Sequence, residues 1–386
     1  MSRARPHLKS GIACAVVLGL ACTASAAGTG WTASKSARVD AAVAHFLRTE
    51  RQDGKRPPPS LALAIGMDGE VVFAKGFGNA APGVPATART IYHIGSLTKQ
   101  FTAAAVLRLI EEGARAPLSG RALGLATPMR EIFEGVQNWT AKDEPPVTVR
   151  SLLNMTSNLP NYTRRPPPGV DPWGSVAAPR LLDALKTFAP HGWPHSFEYS
   201  NTSYFLLGQI IERAQPAGRE KGAGYRDYIR AAVIEPAGMR HTGFVGDYLP
   251  GPQLALPHYR RRPAFSQPDW LNGSGDMASN VLDVFAWNAA LMSGRVLSPA
   301  ARAAMFADGG RVDPMTYYGM GWFIEHGDGS DTYSHSGSVP GYTAYNAIVA
   351  RRDTSSWISV TLLTNSDGID GLDQLAGDLF DISRGE

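Results

Sequence analysis

Cysteine is almost missing from this chain. Its two copies, Cys14 and Cys22, both fall within the first 26 of 386 residues. The other 360 residues therefore have no disulfide framework, no thiolate metal site and no cysteine nucleophile. Charge imbalance is missing as well. Residues 1–26 hold Arg3, Arg5 and Lys9 and no acid, so the formal net charge of +3 belongs to them. The remainder balances 34 basic against 34 acidic side chains, which argues against an electrostatic nucleic-acid binder. Long apolar runs are the third absence. Past residue 26 nothing approaches 18 uninterrupted apolar residues, so no transmembrane segment is expected there. Three catalytic signatures are also absent. There is no Gly-x-Ser-x-Gly elbow, no His-Glu-x-x-His and no phosphate-cradling Gly-x-x-x-x-Gly-Lys-Ser/Thr. His191 and His195 are four apart, but Gly192 and Pro194 between them oppose a helical metal pair. Neither a metal nor a cofactor is called for.

What is present begins with an export signal. Residues 1–9 are basic, Gly11 to Cys22 is apolar, and Ala24-Ser25-Ala26 has the small-x-small form of a signal-peptidase site. The apolar run falls short of the roughly 20 residues that span a bilayer. A lipid on Cys22 is the rival reading. Gly19 stands where a lipoprotein signal favours leucine, so simple export to the periplasm or the medium is the better one.

Beyond the signal, residues 27–386 read as one domain of mixed α and β structure. Val39, Val43, Phe46 and Leu47 recur at helical spacing. Ser60–Met67 and Glu70–Phe77 read as strands joined by Asp68-Gly69, a hairpin signal. A helix is expected from Ser96 to Glu112, stopped by Gly113. From about 114 to 290 helices alternate with Pro/Gly-rich loops, among them Arg164 to Pro179 and Gln215 to Gly224. A helix runs from Tyr204 to Ala214, and Asn280 with Asp283 predicts a capping box. Strands return at Gly319–Glu325, Tyr333–Ser336, Tyr342–Val349 and Ile358–Leu363, before a helix through Leu372, Leu375, Leu379 and Phe380. The expected architecture is one antiparallel sheet built from both chain termini, flanked by helices, with a mostly helical insertion.

Three short motifs carry chemistry. Ser96-Leu97-Thr98-Lys99 puts a hydroxyl and an amine on one helix face, where the amine can take the hydroxyl's proton. The bland alternative is an N-cap serine followed by a surface lysine. Tyr199-Ser200-Asn201 opens the next helix; a phenol beside an ammonium can titrate low and shuttle protons. Its alternative is a Ser/Asn cap with a core tyrosine. His335-Ser336-Gly337-Ser338 closes a predicted strand, where a glycine admits close approach of substrate backbone. Most such histidines are structural. Singly, none of the three is decisive.

Taken together they resemble the penicillin-recognising serine hydrolases, specifically the class C β-lactamase, D-Ala-D-Ala carboxypeptidase and esterase group. The order Ser-x-x-Lys, Tyr-x-Asn, Lys/His-x-Gly is the same. Tyr199 comes 103 residues after Ser96, and His335 comes 136 after Tyr199. Ser151–Pro160, Leu206–Glu212, Ile234–Met239, Gly341-Tyr342 and Leu363–Asn365 are similar to further family segments. The resemblance implies an acyl-enzyme on Ser96, with Lys99 and Tyr199 as the proton-transfer pair and either one as base. It implies that Asn201 holds the lysine and the substrate amide. The oxyanion hole would use backbone N–H groups of Ser96 and Ser338, with His335, Ser336 and Gly337 lining the substrate. A small-molecule or peptide substrate with an amide or ester bond is implied, and no cofactor.

Departures bear on substrate. His335 stands where many β-lactamases have lysine, and histidine is mostly neutral at pH 7, so efficient β-lactamase action is not expected. Asn158 replaces a glycine, but asparagine tolerates positive φ. Asp276 replaces a second glycine. Tyr162, Arg164, Arg165 and Trp173 are candidate substrate contacts around the Pro-rich loop. The expected activity is a carboxypeptidase-like peptidase or amide hydrolase. A carboxylesterase, a β-lactamase and a catalytically silent penicillin-binding module are the alternatives.

Overall fold

The run LALAIGM is apolar on both faces, the mark of a strand covered from two sides rather than one. A computed structural model describes residues 30–49, 59–136, 139, 146–171, 174, 176–191, 195–214, 216, 224–248, 253–258 and 271–386. The export signal expected at 1–26, Trp173 and most of the loop 215–224 lie outside the described residues. After α1 (Ala33–Thr49), the LALAIGM run forms β1 (Leu61–Met67). Asp68 and Gly69, both at positive φ, turn it into β2 (Glu70–Phe77). A short hairpin, β3 (Asn79–Ala81) with β4 (Val84–Pro85), and β5 (Tyr92–His93) lead into a 3-10 turn at Gly95–Leu97. That turn runs directly into α2 (Thr98–Glu111), which is buried nearly all round and so sits inside the molecule.

The middle of the chain is mostly helical. It supplies α3 (Val149–Leu153), α4 (Ala178–Leu185), α5 (Asn201–Arg213), α6 (Tyr225–Ile229) and α7 (Glu235–Ala237). Then come β6 (Gly243–Phe244), β7 (Met277–Ser279), α8 (Val281–Met292) and α9 (Pro299–Met305). β7 pairs with both β5 and β6, tying this region to the segment just before the 3-10 turn. The last third forms β8 (Gly310–Arg311), β9 (Thr316–Tyr318), β10 (Phe323–His326), β11 (Ser330–Val339), β12 (Tyr342–Arg351), β13 (Trp357–Thr364) and α10 (Leu372–Arg384).

Eight strands make one antiparallel sheet in the order β2-β1-β13-β12-β11-β10-β9-β8. β1 pairs with β13 from Leu61↔Thr364 to Met67↔Ile358, so both chain ends build the sheet as the pattern predicts. The period of two sorts the two faces. Leu61, Leu63 and Ile65 pack with Val39, Val43, Leu375 and Leu379 under α1 and α10. Ala62 and Ala64 face the larger core with Phe101 and Phe285. Small residues there let α8 come close: a Cβ on Gly66 would lie 2.0 Å from the Phe285 ring. Each fully buried leucine or phenylalanine in these layers is worth roughly 1.5–3 kcal/mol.

Four expectations need correction. Gly319–Glu325 is not one strand, because Gly321 at φ +86° makes a turn between β9 and β10. β11 does not end at Ser336 but runs on to Val339, paired throughout with β12. Ser96 lies in the 3-10 turn and caps nothing, since α2 begins at Thr98. The capping box at Asn280 is half formed. The Asn280 side chain accepts from Asp283 N, but the Asp283 carboxylate turns to His241 N and Thr242 Oγ1 instead. By contrast Asn158 does adopt positive φ, +54°.

Candidate active site

Ile94, Gly95, Leu97 and Lys99 are buried around the 3-10 turn, and Ser96 alone among them is partly exposed. A hydroxyl presented in this way needs its neighbours tightly packed. Gly95, at φ +51°, provides that: a Cβ there would stand 2.9 Å from Ser338 N on β11. Gly337 does the same from the other side, its absent Cβ lying 2.1 Å from the Ile94 carbonyl oxygen. Two glycines therefore let strand and turn touch through backbone.

Lys99 lies one turn on from Ser96 and is fully buried. Its Nζ is 3.0 Å from Ser96 Oγ, 2.8 Å from Asn201 Oδ1 and 2.7 Å from the Ser274 carbonyl oxygen. The rings of Tyr199 and Tyr204 flank it at 4.9 and 5.6 Å. Burial with no carboxylate partner pushes its pKa well below the usual lysine value. α2 grips the Ser274 segment at two further points. Thr102 Oγ1 donates to the Gly273 carbonyl and Met277 N donates to Thr98 Oγ1.

Asn161, just past the Asn158 turn, organises the opposite wall. Its Nδ2 donates to the Tyr199 carbonyl, and its Oδ1 accepts from Asn201 N and from Thr163 Oγ1. Asn201 Nδ2 in turn donates to Thr163 Oγ1 at 3.1 Å. The Tyr199 phenol hydrogen-bonds to Ser96, yet burial pushes its pKa far above the ordinary value. The low-titrating phenol that the sequence suggested is thus not what the structure shows. Tyr199 keeps its proton at neutral pH.

These groups face one cavity of about 580 Å³. Ser96, Tyr199, Asn201, Ser336 and Ser338 line it, whereas His335 and Gly337, on the alternate face of β11, do not. His335 is buried behind the wall, with Nε2 3.1 Å from Tyr318 OH and Nδ1 2.6 Å from the Ser336 carbonyl. Burial and the nearby lysine take its pKa down to about 3, so it is neutral. Tyr162 is also buried, against Phe205, and touches no substrate space. Arg164 lines the cavity, Arg165 does not, and Trp173 lies outside the described residues. Asn161, Thr163 and Ser274 belong to the site without belonging to any of the three motifs. No local signal marks them, because each acts through a contact made by the fold. Among the described residues no cluster of His, Cys, Asp and Glu suits a metal ion.

Asp276 sits beneath the Ser274 segment, 1% exposed. Tyr225 OH and Gly273 N point at its Oδ1 at 3.1 and 3.3 Å, with Arg226 near enough to favour the charge. Desolvation wins, and its pKa rises from 3.8 to about 7. The folded state then holds a proton that the unfolded chain releases near pH 4. Stability from this group therefore falls as pH rises from about 4 to 7 and is level above. Asp276→Asn should raise stability by up to roughly 4 kcal/mol at pH 8 and change it little at pH 4. Calorimetry at both pH values checks this, and an equal change in melting temperature at both would refute it.

Comparisons with known proteins show the family and the fold. A family model described as Beta-lactamase matches residues 40–379. A penicillin-binding protein of Bacillus subtilis (strain 168) is 27% identical over 307 residues, covering 71% of this chain and 62% of its own length. Penicillin-binding protein 4 of Amycolatopsis lactamdurans is 26% identical over 342 residues, 83% of this chain and 82% of its own. The chain spans 65% and 62% of the length of the first curated relatives it matches. Among solved structures, the octameric penicillin-binding protein homologue from Pyrococcus abyssi superposes with a TM-score of 0.73. It is 27% identical, over 91% of this chain and 78% of that one. The D-amino acid amidase from Ochrobactrum anthropi SV3 shares the fold at TM-score 0.69 and 22% identity, over 90% and 99% of the two chains.

Proposed function

The chain belongs to the β-lactamase family; on that footing we propose that it is a serine hydrolase acting by acyl transfer, an exported, carboxypeptidase-like amide hydrolase working through an acyl-enzyme on Ser96. The observation that carries the mechanism is the coordination of Lys99. A neutral amine has two N–H donors and one lone pair. Asn201 Oδ1 and the Ser274 carbonyl only accept, so they occupy both donors. The lone pair is left for the Ser96 hydroxyl at 3.0 Å. With its pKa depressed, Lys99 is the base of acylation, and Ser96 Oγ attacks as its proton moves to Nζ.

The proton then has to reach the leaving nitrogen. Tyr199, protonated and hydrogen-bonded to Ser96, stands beside both groups and hands it on, being resupplied from Lys99. Backbone N–H groups of Ser96 and Ser338, brought together by Gly95 and Gly337, receive the developing oxyanion. Water attacking from the Tyr199 side gives its proton to Lys99, which passes it to Ser96 Oγ as the acyl–oxygen bond breaks and the acid is released.

The names of the relatives support a serine that accepts an acyl group from a penicillin-type donor, and the neutral, inward-facing His335 argues against efficient β-lactam turnover. A carboxylesterase is the second reading, favoured by the apolar part of the cavity wall at Phe197, Leu271, Val312, Phe323 and Val339. Export rests on residues 1–26, and the mature chain is proposed to begin at Ala27. The test is covalent. A fluorophosphonate or fluorescent penicillin should add one adduct, mapped by mass spectrometry to the peptide holding Ser96. An adduct mapped elsewhere, or none, refutes the proposal.

A further inference from the structure

The cavity is almost free of formal charge. Its wall contributes serine, asparagine, threonine, tyrosine, apolar residues and glycine, and among the described residues a single charged side chain, Arg164. The two other basic side chains of the motifs, Lys99 and His335, do not line this wall. Lys99 is buried and held toward the neutral amine, and His335 is neutral and points into the core.

Arg164 is also unspent. No carboxylate pairs with it among the described residues, whereas Arg108, Arg230, Arg351, Arg352 and Arg384 all have acidic partners. Its backbone is nevertheless anchored. Arg164 N and Arg165 N both donate to the Asn161 carbonyl, at 2.9 and 2.8 Å. Asn161 is the residue whose side chain ties down Tyr199 and Asn201. The guanidinium is therefore carried on the segment that sets the site, close enough for its charge to act on the Tyr199 phenol. A planar guanidinium offers two parallel N–H donors that match a carboxylate, and no acid in the wall competes for them.

We infer that Arg164 is the anion anchor of this cavity, and that the preferred substrate carries a free carboxylate which pairs with it while the scissile carbonyl lies at Ser96. This rests on reading the cavity as an acyl-transfer site, and it makes Arg164 a specificity-determining residue.

The test compares N-acetyl-D-alanyl-D-alanine with its C-terminal amide, a pair differing in that one charge. Wild type should favour the acid by roughly 10–100-fold in kcat/KM, chiefly through KM, as a charge-assisted hydrogen bond allows. Raising salt from about 0.05 to about 0.5 M should narrow the ratio. Arg164→Gln should bring it to within about threefold, with Arg164→Lys between. Arg165→Gln, which lies off the cavity wall, should leave it unchanged. The same pair titrated calorimetrically against Ser96→Ala reports the preference without turnover, so it decides the matter even for a chain that fails to hydrolyse either compound. A wild-type preference near unity, or one that survives Arg164→Gln, overturns the inference.

Discussion

Lys99→Met is expected to slow acylation of Ser96 by roughly 10²–10⁴-fold while the protein remains folded. Methionine fills nearly the same volume but has no proton acceptor, so the loss isolates the base. Folding should survive because two effects oppose each other. The substitution leaves Asn201 Oδ1 and the Ser274 carbonyl without the donor they now share. It also removes an amine that is fully desolvated with no anionic partner, and burying such a group is itself costly. Lys99→Arg separates base from charge. It keeps a cation but cannot deprotonate, so it should be as inactive as Lys99→Met. In wild type the acylation rate should rise with pH as Lys99 loses its proton, and level off well below the ordinary lysine value. Stopped-flow acylation by a chromogenic β-lactam gives all three results. An arginine variant within about tenfold of wild type would remove Lys99 from the role of base.

Gly337→Ala is expected to damage stability and activity together. Its Cβ would be placed 2.1 Å from the Ile94 oxygen and 3.1 Å from the Ile94 carbon, both backbone atoms that no rotamer change can move. β11 and the nucleophile turn must then separate. Overpacking against side chains costs about 1–3 kcal/mol, and a contact with backbone belongs at or above the top of that range. The chemistry suffers more than the fold. Separation pulls Ser338 away from Ser96, and a misplacement of about 1 Å at reacting atoms costs about 10²-fold. Thermal melts and the rate of fluorophosphonate labelling should both fall. Wild-type values for both would show that strand and turn do not meet as described. Gly377, on α10 with open space around its Cβ position, is the matched control.

Legibility in the sequence tracked the range of the contacts involved. α1, β1, β2, α2, α5 and α10 were readable because periodicity and turn chemistry act within a few residues. The turn at Gly321 was not. A strand-like apolar run gives way there because the turn packs on α2, where a Cβ on Gly321 would lie 2.9 Å from the Lys99 carbonyl oxygen. The pairing of β5 with β7 joins residues far apart in the chain and left no local trace. At the site, Ser96, Lys99, Tyr199 and Asn201 were legible as ordered motifs. His335 was legible as a motif member, but its inward orientation was not, because β11 continues past the point where its local pattern ends.

By itself, then, the sequence determined the inventory: a charge-balanced chain, cysteine-free past its first 26 residues, whose nucleophile has to be a serine with a lysine one turn away. Tertiary structure decided protonation and access. Lys99 is held toward its neutral form by burial, under walls that include Ser274 and Tyr199, which its neighbours in sequence do not encode. A pKa and a nearly charge-free cavity are properties of surroundings, and the surroundings here are assembled from segments more than 100 residues apart.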